Sequence, residues 1–131
     1  VTCVDKDAGK IEIINGGLMP IYEPGLAELV ARNVDAGRLH FKTDLGQAVT
    51  HADAVFIAVG TPTRRGDGHA DLSFVYAAAE ELAGHLSGYT VIVTKSTVPV
   101  GTGRNVANVV AKANPDADFD MISNPEFLRE G

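Results

Sequence analysis

Tryptophan is absent from this 131-residue chain, cysteine occurs once, and aromatic residues make up only 6%. A hydrophobic core, which 45% apolar content permits, must therefore be built from Val, Ile, Leu and Ala. The single Cys3 has no intrachain disulfide partner. A disulfide-stapled scaffold is excluded, and a reducing, cytoplasmic setting is expected. Lying in an apolar run, Cys3 reads as a buried structural thiol. Positive charge is also scarce: 11 Lys and Arg stand against 17 Asp and Glu, for a net charge of −6. The longest basic run is Arg64-Arg65, which excludes a phosphate-tracking nucleic-acid surface. No apolar run approaches the roughly 18 residues of a membrane span, so no membrane partner is expected. His40, His51, His69 and His85 lack metal-ligand spacing, so no metal site is expected.

What is present alternates between two periodicities. Val1-Thr2-Cys3-Val4 is strand-like, rich in β-branched residues, and ends at Asp5. A helix is expected from about Asp7 to Asn15, with Ile11 and Ile14 on one face and Gly16-Gly17 stopping it. Met19 to Pro24 is an extended, proline-bounded connection. Leu26, Leu29, Val30 and Val34 follow helical spacing as far as Gly37. Leu39 to Lys42 reads as a short strand, and Asp44 as the cap of a helix carrying Leu45, Ala48 and Val49. Ala54 to Val59 is a continuous apolar strand of the kind found in parallel sheets covered on both faces. A polar, glycine-rich loop runs from Gly60 to Asp71, followed by a helix from about Leu72 to Leu86. Val91-Ile92-Val93 is another strand, Lys95 to Thr102 a loop, and Val106, Val109 and Val110 mark the next helix. Phe119 to Ser123 is the last strand. Regular strand–helix alternation is the pattern of a doubly wound, parallel α/β sheet.

One element of that fold is missing. A dinucleotide-binding domain opens with a strand, a G-x-G-x-x-G turn and a helix, and an acidic residue follows about 20 residues later at the end of the second strand. This chain has no such glycine pattern, and Asp5 stands where that acid belongs. The expectation is a Rossmann-like domain lacking its first strand, phosphate loop and first helix. In strand order 3-2-1-4-5-6 the first strand is central. Its loss would leave apolar edges on the strands ending at Asp5 and Val59, and poor stability or aggregation of this stretch alone. Asp5 is expected to accept hydrogen bonds from ribose hydroxyls and to repel a 2′-phosphate, which selects NAD over NADP. Its alternative role is a cap for the following helix.

The chain finishes with Ser123-Asn124-Pro125-Glu126-Phe127-Leu128-Arg129-Glu130-Gly131. Proline suits a first helical turn, and a helix there places Glu126 and Glu130 one turn apart on one face. The carboxyl edge of an open α/β sheet is where ligand chemistry is sited. Acids also favour helix starts through the dipole alone.

Six stretches together carry a resemblance that spans essentially the whole chain. They are Val1 to Asp5, Pro20-Ile21-Tyr22-Glu23-Pro24-Gly25-Leu26, Phe56 to Pro62, Ala70-Asp71-Leu72-Ser73, Lys95 to Thr102, and Asn124 to Gly131. In this order they resemble the UDP-glucose/GDP-mannose dehydrogenase family, in its UDP-glucose branch, over a partial NAD-binding domain. The resemblance implies oxidation of a nucleotide sugar's primary alcohol to a carboxylate, with two NAD, one water and a thioester on a cysteine. Cys3 does not match that cysteine, whose position falls beyond residue 131, so the chain alone should be inactive. Cofactor contacts are implied for Asp5, Lys10, Val59, Gly60, Thr61, Pro62, Thr63, Ser96, Thr97, Val98 and Glu130. Thr97 is also implied to hold a water near the reacting carbon, a task suited to a hydroxyl that both donates and accepts. Glu126 matches the acid/base residue of thioester hydrolysis, which asks for a raised pKa in a closed site. Glu126, Phe127, Leu128, Arg129 and Glu130 match the segment along the nucleotide sugar, where backbone amides at a helix start can bind phosphate.

Lys95-Ser96-Thr97-Val98-Pro99-Val100-Gly101 favours UDP-glucose over GDP-mannose by this resemblance; UDP-N-acetylmannosamine is the other rival sugar. A non-catalytic NAD-sensing domain would not need Thr97, Glu126 and Glu130 together. A flavodoxin-like binder would want phosphate ligands after its own first strand, and none are present. The family's members dimerise through a long helix outside this stretch, so a homodimer of the whole protein is expected.

Overall fold

The structure, a computed structural model, describes residues 1–62 and 70–125. The chain divides into two compact units, Val1–Ala48 and Val49–Gly131.

In the first unit, β1 (Thr2–Val4) leads through a short turn into α1 (Ala8–Asn15). The proline-bounded connection follows, then α2 (Leu26–Asp35), β2 (His40–Lys42) and α3 (Leu45–Val49), whose last residue belongs to the second unit. β1 and β2 are parallel, with Cys3 opposite Phe41. α1 begins where Asp7 caps it, the Asp7 carboxylate accepting from Lys10 N at 3.1 Å. Asp44 does the same for the turn of Gln47, also at 3.1 Å. An oxygen placed this way satisfies one of the amides a helix start leaves unpaired.

The second unit carries β3 (Ala54–Ile57), α4 (Ser73–Ala83), β4 (Thr90–Thr94), α5 (Thr102–Ala113) and β5 (Phe119–Ser123). The strands lie in the order β3-β4-β5, all parallel, with Phe56, Val93 and Ile122 in one cross-strand row. Each strand reaches the next through one helix, and α4 packs against α5. Their inward faces hold this unit's core: Val75, Ala79, Leu82, Ala83, Val106 and Val110, above Ile57 and Ile92. Leu82 and Ile92 are fully buried, each worth about 1.5–3 kcal/mol of transfer free energy. At the two ends of β4, the buried hydroxyls of Thr90 and Thr94 donate to Ala52 O (3.3 Å) and Ile122 O (3.4 Å).

The alternation of strands and helices and the parallel sheets agree with the expected α/β class, with three differences. Cys3 is exposed rather than buried. Among the described residues its strand belongs to a sheet of two strands, which buries little of either face. For the same reason the apolar stripe of α2 stays open, with Leu29 48% and Val34 43% exposed. The third difference is β3, expected to be covered on both faces. Val55 and Ile57 turn inward, but Phe56 is 58% exposed and its row-mate Ile122 48%. α4 and α5 pack on each other, and in the row Phe56–Val93–Ile122 the central Val93 is buried while the two outer side chains stay open among the described residues.

Candidate functional site

Parallel strands point their carboxyl ends the same way, so the residues just past each strand collect along one edge of a sheet. Each unit has such an edge.

In the first unit the edge residue is Asp5. Its backbone N–H donates to Lys42 O at 3.2 Å, extending the β1–β2 ladder by one rung and fixing where its side chain begins. One carboxylate oxygen accepts from Asp7 N at 3.0 Å; the other pairs with Lys10 Nζ at 2.6 Å. The pair is open to solvent, with side chains 37% and 44% exposed. The hydrogen bond from Lys10, then that from the Asp7 amide, holds the Asp5 carboxyl below the ordinary carboxylate range. The same bond raises the Lys10 ammonium above the ordinary lysine value. The alternative role for Asp5, capping α1, is filled by Asp7. Asp5 is thus a negatively charged acceptor at a strand end, oriented by two donors and reachable from outside.

In the second unit the edge is built from the segments after β3 and β4. Lys95 N donates to Ile57 O at 2.9 Å, and the Ser96 hydroxyl donates to Val59 O at 2.6 Å. The Thr61 hydroxyl makes a longer contact, 3.5 Å, with Thr97 O. Pro62 O accepts from Asp71 N at 2.7 Å, and the Asp71 carboxylate in turn accepts from Ser73 N, the first residue of α4, at 3.0 Å. Val59, Thr61, Pro62, Ser96 and Thr97 are therefore joined into one hydrogen-bonded ridge. A Cβ added to Gly60 would meet no described atom within 4 Å. The glycine is not required by crowding from the described residues, and it is exposed, so that a ligand could approach its backbone closely.

The turn beyond Thr97 and Val98 is held from the helix side. Gly101 sits at φ 91°, a conformation that disfavours any side chain, and precedes the first turn of α5. The buried Thr102 hydroxyl donates back to Pro99 O at 2.7 Å. Sequence reasoning missed Thr102, Asp7 and Asp71 as the groups that shape these edges. Their signals were readable: a Thr directly after Gly at a helix start, and Asp two or three residues before a helical N–H.

Thr63 and the acidic segment Glu126, Phe127, Leu128, Arg129 and Glu130 lie outside the described residues. The last described part leading to them is in place. Asn124 N donates to Thr94 O at 2.9 Å, carrying the β4–β5 ladder past Ser123 to the same carboxyl edge. A shallow hollow of about 520 Å³ lined by Glu23, Pro24, Leu26, Leu29 and Arg32 includes none of these residues. Among the described residues no three His, Cys, Asp or Glu side chains group as a metal site.

Comparison with known proteins identifies the family. Residues 1–131 match the family model described as the UDP-glucose/GDP-mannose dehydrogenase family, NAD binding domain. The chain is 64% identical over 131 residues to a UDP-glucose 6-dehydrogenase of Rhizobium meliloti, covering all of this chain and 30% of that protein. A UDP-glucose dehydrogenase structure from Pyrobaculum islandicum superimposes with a TM-score of 0.90 at 42% identity, over 100% of this chain and 31% of that one. A ternary complex of a GDP-mannose dehydrogenase from Pseudomonas aeruginosa also gives 0.90, at 37% identity, over 99% and 31%. The chain thus spans about 30% of the length of the curated relatives it matches.

Proposed function

The chain belongs to the UDP-glucose/GDP-mannose dehydrogenase family, as its NAD binding domain, and on that premise we propose that it seats NAD in an enzyme that oxidises UDP-glucose to UDP-glucuronate. The observation that carries this reading is the Asp5 carboxylate, fixed at the end of β1 by Lys10 and the Asp7 amide and open to a ligand. A carboxylate with two oriented oxygens suits the paired hydroxyls of an unphosphorylated ribose. Bound NAD supplies the hydride acceptor for the alcohol carbon of the sugar.

The residues of this chain do the positioning. Asp5 and Lys10 would hold the adenosine end of NAD, and Val59, Gly60, Thr61 and Pro62 would supply further cofactor contacts. Ser96 keeps that backbone in place by donating its hydroxyl proton to Val59 O, so toward a ligand its oxygen acts as acceptor only. Thr97 and Val98 complete the ridge, Thr97 orienting a water beside the reacting carbon. Thr63 and Glu130 are further cofactor contacts in this reading. Glu126 activates water for hydrolysis of a thioester carried by a cysteine outside this chain, while Phe127, Leu128 and Arg129 bind along the nucleotide sugar. The reaction consumes two NAD and one water per sugar, and residues 1–131 form the partial NAD-binding domain of a longer protein, which pairs as a homodimer. The 64% identity to a UDP-glucose 6-dehydrogenase supports UDP-glucose as the sugar. The equal TM-scores of the UDP-glucose and GDP-mannose dehydrogenases show why backbone shape alone does not choose between them.

The test uses the whole protein with NAD and, separately, UDP-glucose, GDP-mannose and UDP-N-acetylmannosamine, counting NADH per sugar for wild type and Glu126→Gln. Two NADH per UDP-glucose, with turnover slowed in the variant, is the expected result. No NADH from any of the three sugars would overturn the enzyme reading.

A further inference from the structure

The ion pair at the end of β1 holds a lysine whose charge is already engaged. Lys10 Nζ lies 2.6 Å from Asp5 Oδ2, and both side chains remain more than a third exposed. The lysine's backbone position does not depend on that contact. Its N–H is anchored by Asp7 Oδ1 at 3.1 Å in the first turn of α1. Asp5 is anchored separately, by its own N–H on Lys42 O and by the Asp7 N–H on its other oxygen. Removing the Asp5 carboxylate would therefore leave the backbone of Lys10 in place and its ammonium without this counter-ion, within side-chain reach of the position an adenosine ribose would take.

Resting on the NAD reading above, we propose that Lys10 is a masked 2′-phosphate site: Asp5 excludes NADP both by repelling its phosphate and by pairing with the Lys10 ammonium that would receive it, so that neutralising Asp5 alone shifts the site from NAD toward NADP. A site whose selectivity lay only in the acid would lose NAD on that change and gain nothing in return, since a phosphate dianion needs a cationic partner. Here a cation already lies at hydrogen-bonding distance from that acid. Asp7 is the carboxylate that opposes the gain, but its Oδ1 is directed at the α1 amide. The charge change felt by the phosphate is one unit, the anion removed, at contact range in a solvent-exposed site, and the ammonium that was paired with that anion becomes available to the phosphate.

The experiment measures equilibrium binding of NAD, NADP and the fragment 2′,5′-ADP to the whole protein at two salt concentrations. The variants are Asp5→Asn, Asp5→Ser and Asp5→Asn combined with Lys10→Gln. The expected result is a fall of roughly 100-fold in the ratio of NADP to NAD dissociation constants for Asp5→Asn. A salt-sensitive gain in 2′,5′-ADP affinity should accompany it, and Lys10→Gln should abolish about tenfold of that gain. Asp5→Ser provides the same comparison should the Asn variant fail to fold, as judged by circular dichroism. Wild type that binds NAD, with an Asp5 variant that gains no affinity for NADP or 2′,5′-ADP, overturns the inference and leaves the NAD reading standing. A gain that survives Lys10→Gln overturns it too, by placing the phosphate on another group. Wild type that binds no NAD overturns the functional reading, and this inference with it.

Discussion

Ser96→Ala isolates the tie between the two backbone segments of the ridge. The hydroxyl donates to Val59 O at 2.6 Å in a half-buried setting, toward the short end for O–H···O bonds. Such a bond contributes about 0.5–1.5 kcal/mol net, and its loss leaves a partly buried carbonyl short of a donor. The neighbouring bond from Lys95 N to Ile57 O, at 2.9 Å, remains. The segments should therefore loosen beyond Ile57 rather than separate. If binding NAD requires Val59 to Pro62 to be ordered, about 1 kcal/mol of lost order raises the dissociation constant about fivefold. Ser96→Thr keeps the hydroxyl and should stay within about twofold of wild type, whereas Ser96→Val should match Ser96→Ala. Calorimetric titration with NAD gives the affinity, and hydrogen exchange at the amides of Val59 to Thr61 reports the order directly. Unchanged affinity together with unchanged amide protection in Ser96→Ala would refute the reasoning.

Leu82→Ala should cost about 2–5 kcal/mol in urea unfolding, because Leu82 is fully buried on the inward face of α4 and deletion leaves a cavity; a cost under 1 kcal/mol would mean that layer is not close-packed. The Asp5–Lys10 pair predicts two titrations, each read by carbon NMR of the side chain. Asp5 is depressed in the folded state, so its contribution is present above the unfolded carboxylate pKa and is lost as pH falls through the folded value. Lys10 is raised, so its contribution is present below the unfolded lysine pKa and is lost as pH rises through the folded value. Both contributions are small because solvent screens the pair, and Asp5→Asn should return Lys10 toward its ordinary value. Residues 1–131 alone should aggregate or melt well below the whole protein, given the exposed Phe56–Ile122 row and β1 bonded to one strand only among the described residues; equal melting temperatures would remove that expectation.

Local chemistry made much of this protein legible in one dimension. Strand runs such as Phe119–Ser123 and the helical spacing of Val106, Val109 and Val110 are short-range patterns, and the elements formed where the periodicity placed them. The ordering of strands and helices, the parallel class and the position of Asp5 at a strand end follow from the same patterns. Specific strings such as Lys95 to Thr102 pointed to the family before any fold was built. Which hydrogen bonds the edge residues make depended on tertiary structure. Asp5 and Lys10 meet because a turn folds α1 back over the end of β1, a contact that helical spacing does not predict, since Asp5 precedes the helix. Ser96 reaches Val59 O across 37 residues of sequence only because β3 and β4 are neighbours in register. Cys3 and Phe56 carry apolar signatures that say "buried", yet both are exposed, because burial is decided by what covers a face and not by the residue that lies on it.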